Sequence, residues 1–210
     1  SSEEIKHSVS IQDDKSTKKF ILESNYLPDL VKLLGEDIGV TRGSLKIEGS
    51  SSNGSNLYEG LIAGNDIVFS DAPFFADFFS LFSLQGLAQK IKDGGIIFDK
   101  YNGRYELTDS KLRIIDSLLT GSELGIQFDS VIGLDNNYFL TNGSIIPAYT
   151  LNTLLTKFPI VGDIITAGSP EDGLIGANFK IEKDSKGEMV ISYNPISVFV
   201  PNILKNFLTD

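Results

Sequence analysis

ELGIQFDSVIGL, residues 123–134, alternates with a period of two. Leu124, Ile126, Phe128, Ile132 and Leu134 fall on one side of an extended chain, and Glu123, Gln127 and Asp129 fall on the other. A helix would spread these residues round its circumference, whereas a strand sorts them into an apolar and a polar face. This is the pattern of an antiparallel sheet with one face packed and one in water.

The rhythm continues on both sides. Ile96 to Pro147 reads as a run of antiparallel strands, with turn chemistry at Asn102-Gly103, Asp109-Ser110, Thr120-Gly121, Asp135-Asn136-Asn137 and Asn142-Gly143. Gly173 to Glu182 and Glu188 to Tyr193 are two further strands around the charged turn Lys183 to Gly187, and Asn194-Pro195 closes the sheet. Toward the N-terminus, Gly43 to Gly49 sets Leu45 and Ile47 against Lys46 and Glu48. A polar loop, Ser50 to Ser55, follows, then Leu57 to Phe69, which carries Leu57 and Leu61, with a candidate hairpin bend at Gly64-Asn65. Ile5 to Ser24 reads as two short strands: His7, Val9 and Ile11 alternate, Asp13 to Ser16 interrupts, and Phe20-Ile21-Leu22 resumes.

Four segments have helical spacing. Tyr26 to Gly35 puts Leu27, Leu30, Val31 and Leu34 on one face, with Asn25 as N-cap. A longer helix is predicted from the N-cap Asp71 to Gly94-Gly95, with Pro73 in its first turn and Phe74, Phe75, Phe78, Phe79 and Phe82 on a wide apolar face. Thr150 to Phe158 is a short amphipathic helix. Ile196 to Leu208 is another, carrying Phe199, Ile203, Leu204 and Phe207, with Pro201 placed to kink it. The expected fold is α+β but mainly β: a long, curled, groove-like antiparallel sheet with amphipathic helices packed on it or capping it, in a single domain over residues 1–210.

Composition narrows the function. The formal net charge is -10 and the basic residues are scattered, the densest group being Lys15, Lys18 and Lys19, so nucleic acid is not an expected partner. Lipid contact, if any, runs through apolar surface rather than charge. There is no cysteine, hence no disulfide framework and no thiolate chemistry. Ser1, Ser2, Glu3 and Glu4 carry no secretory signal, and the longest uncharged stretch, Asn136 to Thr156, is broken by Asn, Gly, Thr and Pro.

Catalytic chemistry is hard to place. His7 is the only histidine, so a Ser-His-Asp site would have to use it, and a zinc site would lack ligands. Asp13-Asp14, Glu36-Asp37 and Glu171-Asp172 are neighbours in turns or at helix ends, not carboxylates facing across a cleft. Gly173-Leu174-Ile175-Gly176-Ala177 opens a strand rather than a helix, so it does not cradle phosphate. We expect no enzyme, no metal and no cofactor. The Phe-rich helix reads either as core or as a surface that meets lipid or a partner.

Three blocks carry a resemblance. They are Gly43 to Gly49 with its preceding helix, Tyr26 to Gly35; Phe69 to Lys100, with its APFFADFFS helix; and, strongest, GSIIPAYTLNTLL (143–155), PIVG (159–162), GLIGANF (173–179) and NPISVFVPNILKNFL (194–208). In order and spacing they are similar to the C-terminal region of AsmA-like proteins of the YhdP type, over residues 26–208, with residues 1–25 as peripheral strands. The resemblance implies the periplasmic part of an envelope protein anchored in the inner membrane by a helix outside this segment. It implies a curled β-sheet whose apolar groove shields phospholipid, or another acyl lipid, on its way to the outer membrane, with outer-membrane or envelope proteins as possible partners. It supplies no catalytic motif.

The residues give that implication a physical form. An exposed acyl chain costs roughly 0.8 kcal/mol per methylene, and a one-sided apolar sheet can shield it. Leu45, Ile47, Leu57, Leu61, Leu124, Ile126, Phe128, Ile132 and Leu134 are the candidate groove residues, and the same positions equally suit an ordinary core beneath the helices. The apolar faces of the Phe-rich and C-terminal helices are candidate membrane or partner contacts. A non-catalytic scaffold module docking through those helices is the alternative, and a hydrolase a distant third.

Overall fold

The computed structural model describes residues 4–14, 16–33, 39–52, 54–70, 73–81, 85–135, 138–147, 175–183 and 187–198. Within them the chain is mainly β. Its strands are β1 (His7–Asp13), β2 (Thr17–Ser24), β3 (Val40–Ser52), β4 (Tyr58–Phe69), β5 (Ile96–Leu107), β6 (Lys111–Thr120), β7 (Leu124–Gly133), β8 (Phe139–Pro147), β9 (Ile175–Lys183) and β10 (Met189–Val198). Three short helices interrupt them: α1 (Leu27–Leu33), α2 (Pro73–Leu81) and α3 (Gln85–Asp93). Each strand pairs antiparallel with its neighbours in sequence, in the order β1 to β10, and the sheet does not close on itself. Short turns suffice for such a meander, because antiparallel neighbours need no crossover.

Register sorts the side chains. One unbroken cross-strand row runs Ile11, Phe20, Gly49, Gly60, Tyr105, Ile114, Ser130, Thr141, Ile181, Ile191. This row lies on the face that the helices cover. The next row, on the opposite face, begins Ser10, Ile21, Glu48, Leu61, Arg104, Ile115. A strict period of two would carry apolar residues to the wrong face midway along β4 and β6, and two aspartates correct it. Asp66 and Asp116 both have φ of 52°. Around Asp116 the register of β6 shifts against both neighbours, so Ser117 and Leu119 share a face with Ile114 and Leu112. The Asp129 carboxylate accepts the Asp116 N–H at 2.7 Å, and Arg104 pairs with the Asp116 carboxylate.

The Asn-Gly pairs are not turns. Asn102-Gly103 lies inside β5 and Asn142-Gly143 inside β8; the chain turns instead at 108–110 and 121–123. Their glycines are needed for space. A Cβ on Gly103 would stand 2.8 Å from Ser117 Oγ and 3.0 Å from Tyr101 Oη, and one on Gly143 would strike the Phe179 ring. Likewise a Cβ on Gly49 would fall on the Tyr105 hydroxyl. Aromatic rings thus lie over bare backbone. Gly64-Asn65 makes no hairpin either, since β4 runs through it to Phe69.

The core sits where α2 and α3 meet β4–β9. Phe78, Phe79, Ile91, Ile96, Phe98 and Leu124 are fully buried. Phe69 packs on Phe75 with centroids 4.7 Å apart, and Phe78 meets Phe179 edge-on at 4.9 Å. The single helix predicted from Asp71 to Gly95 is two, α2 and α3, packed on each other, with residues 82–84 between them outside the described residues. Its stop is where the glycines put it: the N–H groups of Gly94 and Gly95 donate to Lys90 O at 2.9 and 2.7 Å, and Gly95 has φ of 102°.

Three expectations about helices change. Phe78 and Phe79, expected among the lipid or partner contacts, are 2% and 1% exposed, because the sheet face opposite them needs large apolar side chains to fill it. Phe75 is half-buried in the same cluster; the Phe74 side chain and Phe82 lie outside what is described. Asn25 does not cap α1: it accepts from the Lys6 N–H at 2.7 Å and donates to Glu4 O at 2.9 Å, tying down the approach to β1. Leu27, Leu30 and Val31 pack on the core as expected. Residues 196–198 continue β10 past a register shift between Asn194 and Ser197, so the sheet does not end at Asn194-Pro195 and no helix begins at Ile196. The helix expected over Thr150 to Phe158 lies outside the described residues, as do Phe199, Ile203, Leu204 and Phe207.

Candidate functional site

The nine candidate groove residues divide into three sets. Leu45, Ile47, Phe128 and Ile132 lie on the covered face and are half-buried. Leu124 and Ile126 share that face but are 2% and 4% exposed; they belong to the core under the helices and line no open surface. Leu61 is a correction, and Leu57 and Leu134 lie at strand ends. Leu61 pairs with Glu48 and Arg104 in the opposite row, one position out of phase with Ile62, and is 51% exposed. Leu57 precedes β4 and is 38% exposed; Leu134 follows β7, where its N–H donates to Ser110 O at 2.8 Å and it is 53% exposed.

What the structure brings together lies further toward the N-terminus. Val9 and Ile11 on β1 stand beside Leu22 and Phe20 on β2, which stand beside Ile47 and Gly49 on β3. Of these, Val9 is 64% exposed and Ile11 72%, with Phe20, Leu22 and Ile47 half-buried. Phe20 also meets Tyr58 edge-on at 6.0 Å and Tyr105 at 6.3 Å, joining this limb to the middle of the sheet. The opposite face of the same strands is charged: Lys46 bridges Glu48 at 3.1 Å and Glu23 at 3.8 Å. Such exposed pairs add little stability, and they keep that face in water. The alternation of Val9, Ile11, Phe20 and Leu22 was visible in the sequence; that they, rather than Leu57, Leu61 and Leu134, share a surface was not.

At the root of β1 three side chains meet in the order of a hydrolytic triad. His7 Nδ1 lies 2.9 Å from Ser24 Oγ, and His7 Nε2 lies 3.4 Å from Asp29 Oδ2. Ser24 is occupied otherwise. Its hydroxyl donates to Tyr26 O and accepts the Tyr26 N–H, both at 3.0 Å, and it is 4% exposed. A nucleophile must reach substrate with its proton directed to the histidine. Here that proton is committed to a turn that joins β2 to α1.

Polar groups elsewhere on the covered face are paired and buried. Tyr101 meets Ser117 at 3.1 Å, and Ser130 meets Thr141 at 2.7 Å. Tyr105 is the exception: it is 5% exposed, and its hydroxyl has no hydrogen-bond partner among the described residues. Burial pushes its pKa up to about 12. Among the described residues there is no cluster of His, Cys, Asp and Glu able to hold a metal ion, and no helix long and apolar enough to cross a membrane.

Compared with protein-family models, with curated proteins and with solved structures, the chain matches none.

Proposed function

We propose that this chain shields acyl lipid along the apolar face of its sheet, as the C-terminal part of an AsmA-like envelope protein. In this reading the sheet is a curled trough, α2 and α3 fill one section of it, and the rest is open to an acyl chain. The chain is then the periplasmic part of an inner-membrane-anchored protein that conducts phospholipid between the two membranes, without bond chemistry. The observation that carries this reading is the uncovered apolar surface of β1–β3, with Val9 and Ile11 mostly exposed above half-buried Phe20, Leu22 and Ile47. Exposed aliphatic side chains ranked along one face, with Lys46, Glu48 and Glu23 on the other, suit a ligand that is apolar along its length. A scaffold that docks through its helices is disfavoured by the burial of Phe78 and Phe79.

The test is mass spectrometry of an organic extract of the purified protein, beside an unrelated acidic β-protein prepared in parallel. Phospholipid enriched over the control, and lost in Phe20→Asp and Ile47→Asp variants whose far-ultraviolet circular dichroism is unchanged, is the expected result. Equal lipid in the two preparations would refute the reading.

A further inference from the structure

β1 is an edge strand with an unusual outer margin. All seven of its residues are exposed. Sheet edges in monomers are normally blunted by lysine, proline or bulges. From Ser8 to Gln12 this edge has none of these, and it exposes Val9 and Ile11 instead.

Its hydrogen-bonding parity is fixed by the bonds it makes to the β2 side. Asn25 N–H donates to Lys6 O at 3.2 Å, and Asp14 N–H donates to Thr17 O at 3.1 Å. Even-numbered residues therefore bond to β2, and the N–H and C=O groups of His7, Val9, Ile11 and Asp13 point outward. The chemistry along the strand is antisymmetric: Lys6 and His7 at one end, Val9 and Ile11 about the middle, Asp13 and Asp14 at the other.

We infer that β1 pairs antiparallel with β1 of a second copy about a twofold axis at Ser10. This inference does not rest on lipid binding: a longer envelope protein would put a preceding strand on this edge instead, and the mass measurement below separates the two. An isologous contact requires a surface complementary to itself, and this register supplies one. It sets Val9 against Ile11 of the second copy, His7 against Asp13 and Lys6 against Asp14, with outward-facing groups meeting outward-facing groups. A slip of two residues in one direction sets His7 against Ile11; a slip in the other sets Asp13 against Val9. Each sets a polar end residue against an apolar one. The pairing would also join the two apolar sheet faces into one surface.

The protein has no cysteine, so a single introduced thiol reports directly. Ser10 would face its own copy in a non-hydrogen-bonded pair, with Cα atoms about 4.5 Å apart, within disulfide reach. Ser8 would lie roughly 14 Å from its copy at the antiparallel rise per residue. On mild oxidation, S10C should form a covalent dimer and S8C should not. The mass of the unmodified protein in multi-angle light scattering should double with concentration, and V9P, which removes an outward-facing N–H and none of those that bond β2, should stay monomeric. A wild-type mass that stays monomeric at every concentration overturns the inference, as it would if a different extended segment covers this edge. Equal cross-linking of S10C and S8C, or cross-linking of S8C alone, also overturns it.

Discussion

The section of sheet beneath α2 and α3 and the limb formed by β1–β3 belong to one ladder, yet they use their apolar side chains in opposite ways. Under the helices Phe78, Phe79, Ile91, Phe98 and Leu124 are sealed from water. On β1, in the same alternation, Val9 and Ile11 are 64% and 72% exposed. Identical pairing thus yields a core in one place and a surface in the other. What differs is the layer on top, because a sheet face becomes interior only when a second element covers it.

The largest expected effect tests that contrast directly. Phe78→Ala should lower unfolding free energy by about 3–5 kcal/mol in denaturant titrations, the usual cost of deleting a buried ring. Ile11→Ala, deleting a comparable apolar group on β1, should change it by less than about 0.5 kcal/mol. Equal costs would mean that β1 is packed as tightly as the core, and the division would fail.

A second comparison concerns glycine. Gly143→Ala drives a methyl group into the Phe179 ring and the Gln127 carbonyl, and should cost about 1–3 kcal/mol by the same titration. Gly86→Ala on α3, where nothing lies within 4 Å, should instead raise stability by up to about 1 kcal/mol. The opposite signs would locate the tight packing on the covered sheet face and not on the outer side of the helices.

Tyr105 stands at the seam between the two regions, with Phe20 of the limb beside it. Its hydroxyl is buried without a partner among the described residues, so Tyr105→Phe should stabilise the fold at neutral pH by about 1 kcal/mol. The pH dependence follows from its raised pKa. Below pH 10 the phenol is protonated in both folded and unfolded chains and contributes no slope. Between about 10 and 12 the unfolded chain ionises first, so wild-type stability should fall by roughly 2–3 kcal/mol while that part of the slope is absent in Tyr105→Phe. Superimposable alkaline profiles would show that the hydroxyl finds a partner in solution.

Much of this architecture was legible from residues alone. Leu124, Ile126, Phe128 and Ile132 alternate strictly, and β7 follows that period; Gly94-Gly95 end α3 because glycine accepts the φ the stop requires. The mainly β character and the neighbour-to-neighbour order come from local signals of this kind. Other local signals misled where distant residues decide. Asn-Gly is favourable turn chemistry, but at 102–103 and 142–143 it lies mid-strand, where Ser117 on β6 and the Phe179 ring on β9 occupy the space a Cβ would take. Leu61 and Ile62 are both apolar strand residues, and only pairing with Glu48 and Arg104 puts Leu61 on the charged face.

For the candidate site the division is the same. Periodicity determined that the chain would have one apolar face, since alternation is a property of the extended backbone. It could not say which stretch of that face would be covered. That depended on where α2 and α3 settle, which is set by large rings: Phe75 packs on Phe69 at the end of β4, and Phe78 on Phe179, a residue remote in sequence and adjacent only once the sheet has formed.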